Sequence, residues 1–219
     1  MKRCWCLTLV ACALGSVACD ERGVSLGTEE LCQTDPLLVI AQERNPQEAL
    51  PRCANLGRNR LVNAGFETPV IGDCNNGDFC QFPATSLPGW DTTSEQQVIE
   101  VWNDQKMGFA AYEGKQYIEL DANSQDTVFQ DLALPAGQLM YWSLAHHGRN
   151  GVESFELLLG VPDAPPSQGL IESSNQGWTS FSGLYRVGSD EPITRFALSS
   201  RTAGSEGNLV DGVVFAPVE

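Results

Sequence analysis

Positive charge is scarce in this 219-residue chain, where 13 Lys and Arg stand against 28 Asp and Glu for a net charge of −15. A surface of that sign repels phosphate backbones and anionic headgroups, which argues against nucleic acid and acidic lipid as partners. Long apolar runs are missing too. No stretch approaches 18 apolar residues, so no permanent transmembrane helix is expected. The chain has no GxSxG elbow, no phosphate-binding glycine loop, no HExxH and no CxxC, and it carries only two histidines. Those two, His146 and His147, are adjacent. Neighbours on a strand point to opposite faces, so they cannot chelate one metal or form one catalytic pair. No internal repeat is present, and no segment beyond the first 57 residues has a convincing helical pattern.

The first 18 residues carry Lys2 and Arg3, then an uncharged apolar run from Cys4 to Val17, the layout of a bacterial export signal. GSVACD, Gly15 to Asp20, resembles a lipoprotein cleavage site in which Cys19 becomes the lipidated N-terminus, although Ser16 stands where Leu is usual. The expectation is an exported protein held on the envelope membrane by acyl chains at Cys19, with plain secretion as the alternative. Loss of residues 1–18 removes two positive charges and no acid, taking the net charge from −15 to −17.

Of the eight cysteines, Cys32, Cys53, Cys74 and Cys80 remain beyond Cys19, an even number for an oxidising compartment. Three pairings are possible. The local one, Cys32 with Cys53 and Cys74 with Cys80, is favoured because each pair brackets a compact loop. Residues 20–57 read as a polar spacer stapled by the first of these bridges, with one short helix from Pro36 to about Gln42 capped by Asp35.

The remaining residues, 58–219, are patterned with period two. In Gln116 to Leu120, Ile118 and Leu120 face one way, toward the expected core, while Tyr117 and Glu119 face the other. In Leu139 to His147, Met140, Trp142, Leu144 and His146 alternate with Tyr141, Ser143, Ala145 and His147, and both faces are apolar enough for a central strand. Further strands are expected at Val98 to Trp102, Thr127 to Leu132, Ser154 to Gly160, Thr179 to Val187 and Thr194 to Ser200, separated by Gly, Pro and Asn turns. About ten short strands without helices indicate an all-β, antiparallel two-sheet sandwich, with the jelly roll as its topology.

LVNAGFETP at Leu61 to Pro69 and NLVDGVVF at Asn208 to Phe215 each read as an apolar strand with one acid, Glu67 or Asp211. Laid side by side, the two carboxylates would share one hard cation. With the LPGW turn and GKQYIELD between them, these segments resemble the jelly-roll sugar-binding modules of the galactose-binding-like superfamily. They are most like the family four and nine type modules of bacterial glycanases and a related plant cell-wall domain, over about Asn59 to Val218. The resemblance implies sugar binding without cleavage and a structural calcium held by Glu67 and Asp211, with Gly212 standing where the family has a second acid.

A sugar site needs an aromatic platform for a pyranose face and planar polar groups for its hydroxyls. Trp102, Tyr112, Tyr117, Glu119, His147 and Arg149 are the candidates, on the strand face opposite the core or at its rim. Trp90 and Trp142 read as core, and Trp178 as an exposed loop aromatic. Glu100, Glu119, Asp121 and Asp131 are carboxylates on strands or strand ends, but sequence does not pair any two of them at a catalytic separation. The turn Asp73 to Cys80 gathers Asp73, Asn75, Asn76 and Asp78 as a second possible oxygen cluster, more simply an Asn-Gly turn. The function expected is a carbohydrate-binding module for an extracellular or cell-wall polysaccharide. A structural or adhesive envelope protein with a protein partner is the alternative, and a glycan hydrolase or lyase ranks third.

Overall fold

A computed structural model describes residues 56–72 and 74–219. The export signal, Cys19, the spacer with its helix, the Cys32 and Cys53 pair and Asp73 lie outside the described residues. Eleven strands follow in order: β1 Phe79–Pro83, β2 Asp91–Thr92, β3 Val98–Asn103, β4 Gln116–Glu119, β5 Thr127–Leu132, β6 Leu139–Gly148, β7 Glu153–Gly160, β8 Ser167–Ser173, β9 Thr179–Arg186, β10 Thr194–Ser200 and β11 Asn208–Pro217. They form a six-stranded sheet, β1-β3-β4-β11-β6-β9, and a five-stranded one, β2-β5-β10-β7-β8. Every pairing is antiparallel, and the two sheets make the expected jelly-roll sandwich.

The core between the sheets is built by the alternation legible in the sequence. Ile118 and Leu120, Met140, Trp142 and Leu144, Phe155, Leu157 and Leu159, Phe196 and Leu198, and Val210 and Phe215 all belong to one buried cluster. Each such side chain contributes roughly 1.5–3 kcal/mol on leaving water. Trp90 joins them, its indole donating to the Asn63 carbonyl at 3.0 Å. Cys74 and Cys80 are joined in a disulfide around a short 3-10 turn.

One expected strand is absent. Leu61 to Pro69 runs through bends and turns, with Asn63 and Phe66 at φ 51° and 57°. Left-handed residues reverse the direction of the chain, so the apolar residues Leu61 and Phe66 reach the core without a pleat. The segment nevertheless lies beside the last strand. Gly57, Arg60 and Ala64 exchange backbone hydrogen bonds with Pro217, Phe215 and Val213, and the Asn59 amide bridges the Val213 carbonyl and the Phe215 N–H, both at 2.9 Å. Here β11 is bulged between Asp211 and Val214, and the Asn59 side chain serves where a regular ladder is interrupted.

Candidate aromatic and acidic face

Pleating sends alternate residues of the six-stranded sheet away from the core, and the register sets them in rows. Gln81 lies opposite Glu100, Glu100 opposite Glu119, Glu119 opposite Leu209 and Leu209 opposite His147. Beside that row, Phe79 pairs with Trp102 and Trp102 with Tyr117. At about 4.8 Å between strands, five strands span roughly 19 Å, the length of several sugar rings.

At the centre of the face is a hydrogen-bonded unit. Arg149 Nη1 reaches both oxygens of Glu119 at 2.9 Å, while the guanidinium carbon lies 5.2 Å from the centre of the Trp102 ring. The Trp102 indole N–H is shared between Glu100 at 2.7 Å and Glu119 at 3.0 Å. Gly207 N–H adds a third donor to Glu119 at 2.7 Å, and Gln81 donates to Glu100 at 2.8 Å. Burial first, and then the Glu119 carboxylate beside it, push the Glu100 carboxyl up to about 7.

Next to this unit, His147 donates from Nδ1 to the Gly148 carbonyl at 2.6 Å, because a carbonyl only accepts. Burial holds its pKa below the ordinary value. Trp178 stands edge-on to Tyr117, with centroids 5.6 Å apart, and Tyr112, about half exposed, bonds Ser180 at 3.1 Å from the rim. The six expected ligand residues are therefore brought onto one face or its edge. Trp102, Tyr117, Glu119 and His147 are each at most 8% exposed: a loop, residues 104–114, packs Met107, Phe109 and Ala111 against this aromatic cluster, with Phe109 on His147, while Arg149 covers Glu119. Sequence reading missed Phe79, Phe109 and the pairing of Glu100 with Glu119. Phe109 lies in a loop without periodicity, where no pattern signals which side it faces.

Of the other singled-out residues, His146 sits on the core side and donates no charge there. Burial lowers its pKa to about 4, and its ring is held by Asn208 at 3.0 Å and Ser173 at 2.9 Å. Asp121 accepts from Ser200 at 2.8 Å and Asn208 at 3.3 Å in the same buried network, and burial raises it to about 6. Asp131 pairs with Arg195 on the other sheet at 2.7 Å.

Glu67 and Asp211 meet the same turn from two sides. Glu67 accepts the N–H groups of Lys115 and Gln116 at 2.7 and 3.0 Å, while Asp211 accepts those of Glu113 and Gly212 at 2.9 and 2.7 Å. Asp211 is fully buried, and its carboxyl is pushed up to about 7 by that burial. Gly212 has φ 58°, and a Cβ there would meet the Tyr112 ring at 2.7 Å, so an acid at this position would be strained and would have to displace Tyr112. Among the described residues no group of three or more His, Cys, Asp or Glu converges to hold a metal, so an ion at this junction would draw most of its oxygens from backbone carbonyls.

The fold and the face together define an antiparallel jelly roll with an aromatic and acidic outer surface on its larger sheet. No family model and no curated protein matches the chain. Solved structures that it is similar to include a module titled TmCBM61 in complex with β-1,4-galactotriose, at 19% identity over 73% of this chain and 98% of that one, with a TM-score of 0.48. A second is the CBM22-1 xylan-binding domain of Paenibacillus barcinonensis Xyn10C, at 12% identity over 76% and 96%, with a TM-score of 0.46. A third, titled "CBM4 structure and function", is at 14% identity over 72% and 99%, with a TM-score of 0.44.

Proposed function

We propose that this protein is a non-catalytic carbohydrate-binding module that takes an extracellular or cell-wall polysaccharide along the outer face of its six-stranded sheet. The observation that carries this reading is the juxtaposition of Trp102, Tyr117, Trp178 and Tyr112 with Arg149, Glu119, Glu100 and His147 on that one face. Aromatic rings suit the C–H faces of a pyranose, and planar charged groups suit paired hydroxyls. Of the exposed large apolar residues, Val62, Val70, Val152, Val161 and Ile193 lie in loops and Leu170 stands on the edge strand β8, far apart in sequence, which favours a glycan over a protein partner docking on an apolar patch.

Display on the envelope through acyl chains at Cys19 belongs to the same proposal and rests on the export signal. Labelled palmitate incorporated by the parent and lost in Cys19→Ser checks it. A calcium ion at the Glu67 and Asp211 junction is also proposed, supported by the approach of these two carboxylates to the Glu113–Gln116 turn from two sides.

The testing experiment is retention of the full chain on a panel of polysaccharides that includes xylan, β-1,4-galactan and β-1,4-glucan, in calcium and then in chelator. Retention on one of them, weakened about tenfold or more in Trp102→Ala shown to be folded, is the expected result. A thermal midpoint several degrees lower in chelator is expected for the calcium site. Folded protein that no member of the panel retains would sink the sugar reading in favour of the adhesive one.

A further inference from the structure

The 104–114 loop closes over the outer face but leaves its polar bonding incomplete. The Tyr117 hydroxyl is wholly buried under it and has no hydrogen-bond partner among the described residues, an arrangement that native interiors rarely keep. Above it lies Phe109. Its ring is stacked on His147 at 4.1 Å and 13°, lies 5.8 Å from the Tyr117 ring and meets the edge of Trp178 at 6.1 Å. A half-buried place on the face, directly over His147 and Tyr117, is thus filled by a six-membered ring from the chain itself.

The loop is tied at its base, by Asp104 N–H to the Lys115 carbonyl at 2.7 Å and Glu113 N–H to Asp211 at 2.9 Å, and at its side by Lys106 to Asp78 at 2.9 Å, while the part around Phe109 has fewer ties. From outside, Trp178 Nε1 donates to the Ala110 carbonyl at 2.8 Å and Tyr112 bonds Ser180 at 3.1 Å. Inside, Asp104 accepts the Ala111 N–H at 2.7 Å, and Gln105 and Phe109 close one short turn at 3.0 Å. Gln105 is a non-glycine residue at φ 66°, a conformation disfavoured by its Cβ, and Gly108 and Gly114 flank the ring at φ 86° and 60°.

We propose that the place of the Phe109 ring is the deep sugar subsite of this face, and that residues 104–114 are a lid whose Phe109 competes with the ligand. The inference rests on the carbohydrate-binding reading above. A pyranose ring matches a phenyl ring in area and thickness, lays a C–H face on His147 and carries edge hydroxyls, one of which pairs with the Tyr117 phenol. A site filled by its own chain for most of the time binds with an affinity reduced by the open fraction, so weakening the lid tightens binding.

The test is affinity electrophoresis of the full chain in gels containing each polysaccharide of the panel, with folding of every variant checked by circular dichroism. Phe109→Ala empties the subsite, while Asp104→Ala cuts the Ala111 tether without touching the cage. Binding about tenfold tighter in Phe109→Ala and about threefold tighter in Asp104→Ala is expected, with most of the gain lost when Tyr117→Phe is added. If the parent is retained but Phe109→Ala binds no tighter, or Asp104→Ala does not where Phe109→Ala fails to fold, the lid is refuted and the sugar reading stands. If parent and folded variants are all unretained on every polysaccharide, the sugar reading falls and the subsite with it.

Discussion

Glu119 is a fully buried carboxylate whose charge is met by Arg149, Trp102 and Gly207, and the dependence runs in one direction. Removing Arg149 leaves the carboxylate desolvated without its cation, and breaking one half of such a pair costs about 3 kcal/mol or more. Arg149→Met is therefore expected to lower the urea midpoint by that amount, and Glu119→Gln in the same chain is expected to restore most of it. A loss below about 1 kcal/mol in the single variant would show that Glu119 is not held as a charged pair. At this scale much of the site was legible. Tyr117, Glu119, Trp102 and His147 follow from the period of two and the position of the core, because a residue beside an inward-facing neighbour must face outward. Arg149 follows from its place just past a central strand. Phe109 does not follow from anything of this kind, since its side is set by the closure of a loop with left-handed residues at Gln105 and Gly108.

The segment before β1 does the work of a strand without being one. Among the described residues its backbone bonds β11 at Pro217, Phe215 and Val213, and the Asn59 side chain supplies both a donor to Val213 and an acceptor to Phe215 across the bulge. Asn59→Ala leaves a partly buried carbonyl and N–H unpaired, which is expected to cost about 1–2 kcal/mol in denaturant unfolding. Asn59→Asp keeps the acceptor and turns an oxygen on the Val213 carbonyl, so it is expected to be no better than Ala. Full stability in either variant would mean that the backbone contacts alone fix the segment. The strand expected at Leu61 to Pro69 failed because apolar content was read as a pleat, whereas Asn63 and Phe66 take positive φ and carry Phe66 into the core by reversal. The short strands β1, β2 and β8 were illegible for a different reason. FCQFP and DT are too brief to show a period, and SQGLIES is an edge strand, paired with the preceding β7 alone, whose mixed burial shows no clean alternation.

Across the whole molecule, buried ionisable groups pull stability in opposite directions with pH, and their count decides the outcome. Glu100 and Asp211 are raised to about 7 and Asp121 to about 6, above their unfolded values of 4.5, 3.8 and 3.8. The folded state thus binds more protons than the unfolded one between those limits, and the stability these groups contribute is present at low pH and lost as pH rises through 6 to 7. His146 acts the other way. Its folded value of about 4 lies below 6.5, so its contribution is present above 6.5 and lost as pH falls toward 4. Three groups outweigh one, and relief of repulsion in a chain of net charge −15 adds to them. In chelator the thermal midpoint is expected to rise on going from pH 8 to pH 5, on the order of 5 °C, and to turn down only below about pH 4.5. Glu100→Gln separates the buried pair from the surface. It removes the Glu100 proton-binding step and the repulsion with Glu119, so the rise is expected to shrink while the midpoint at pH 8 increases. A midpoint that is flat or falls between pH 8 and pH 5 would mean that these carboxyls are solvated or ion-paired in the folded protein. The calcium proposed at the Glu67 and Asp211 junction would replace the proton on Asp211, so saturating calcium is expected to remove that share of the slope.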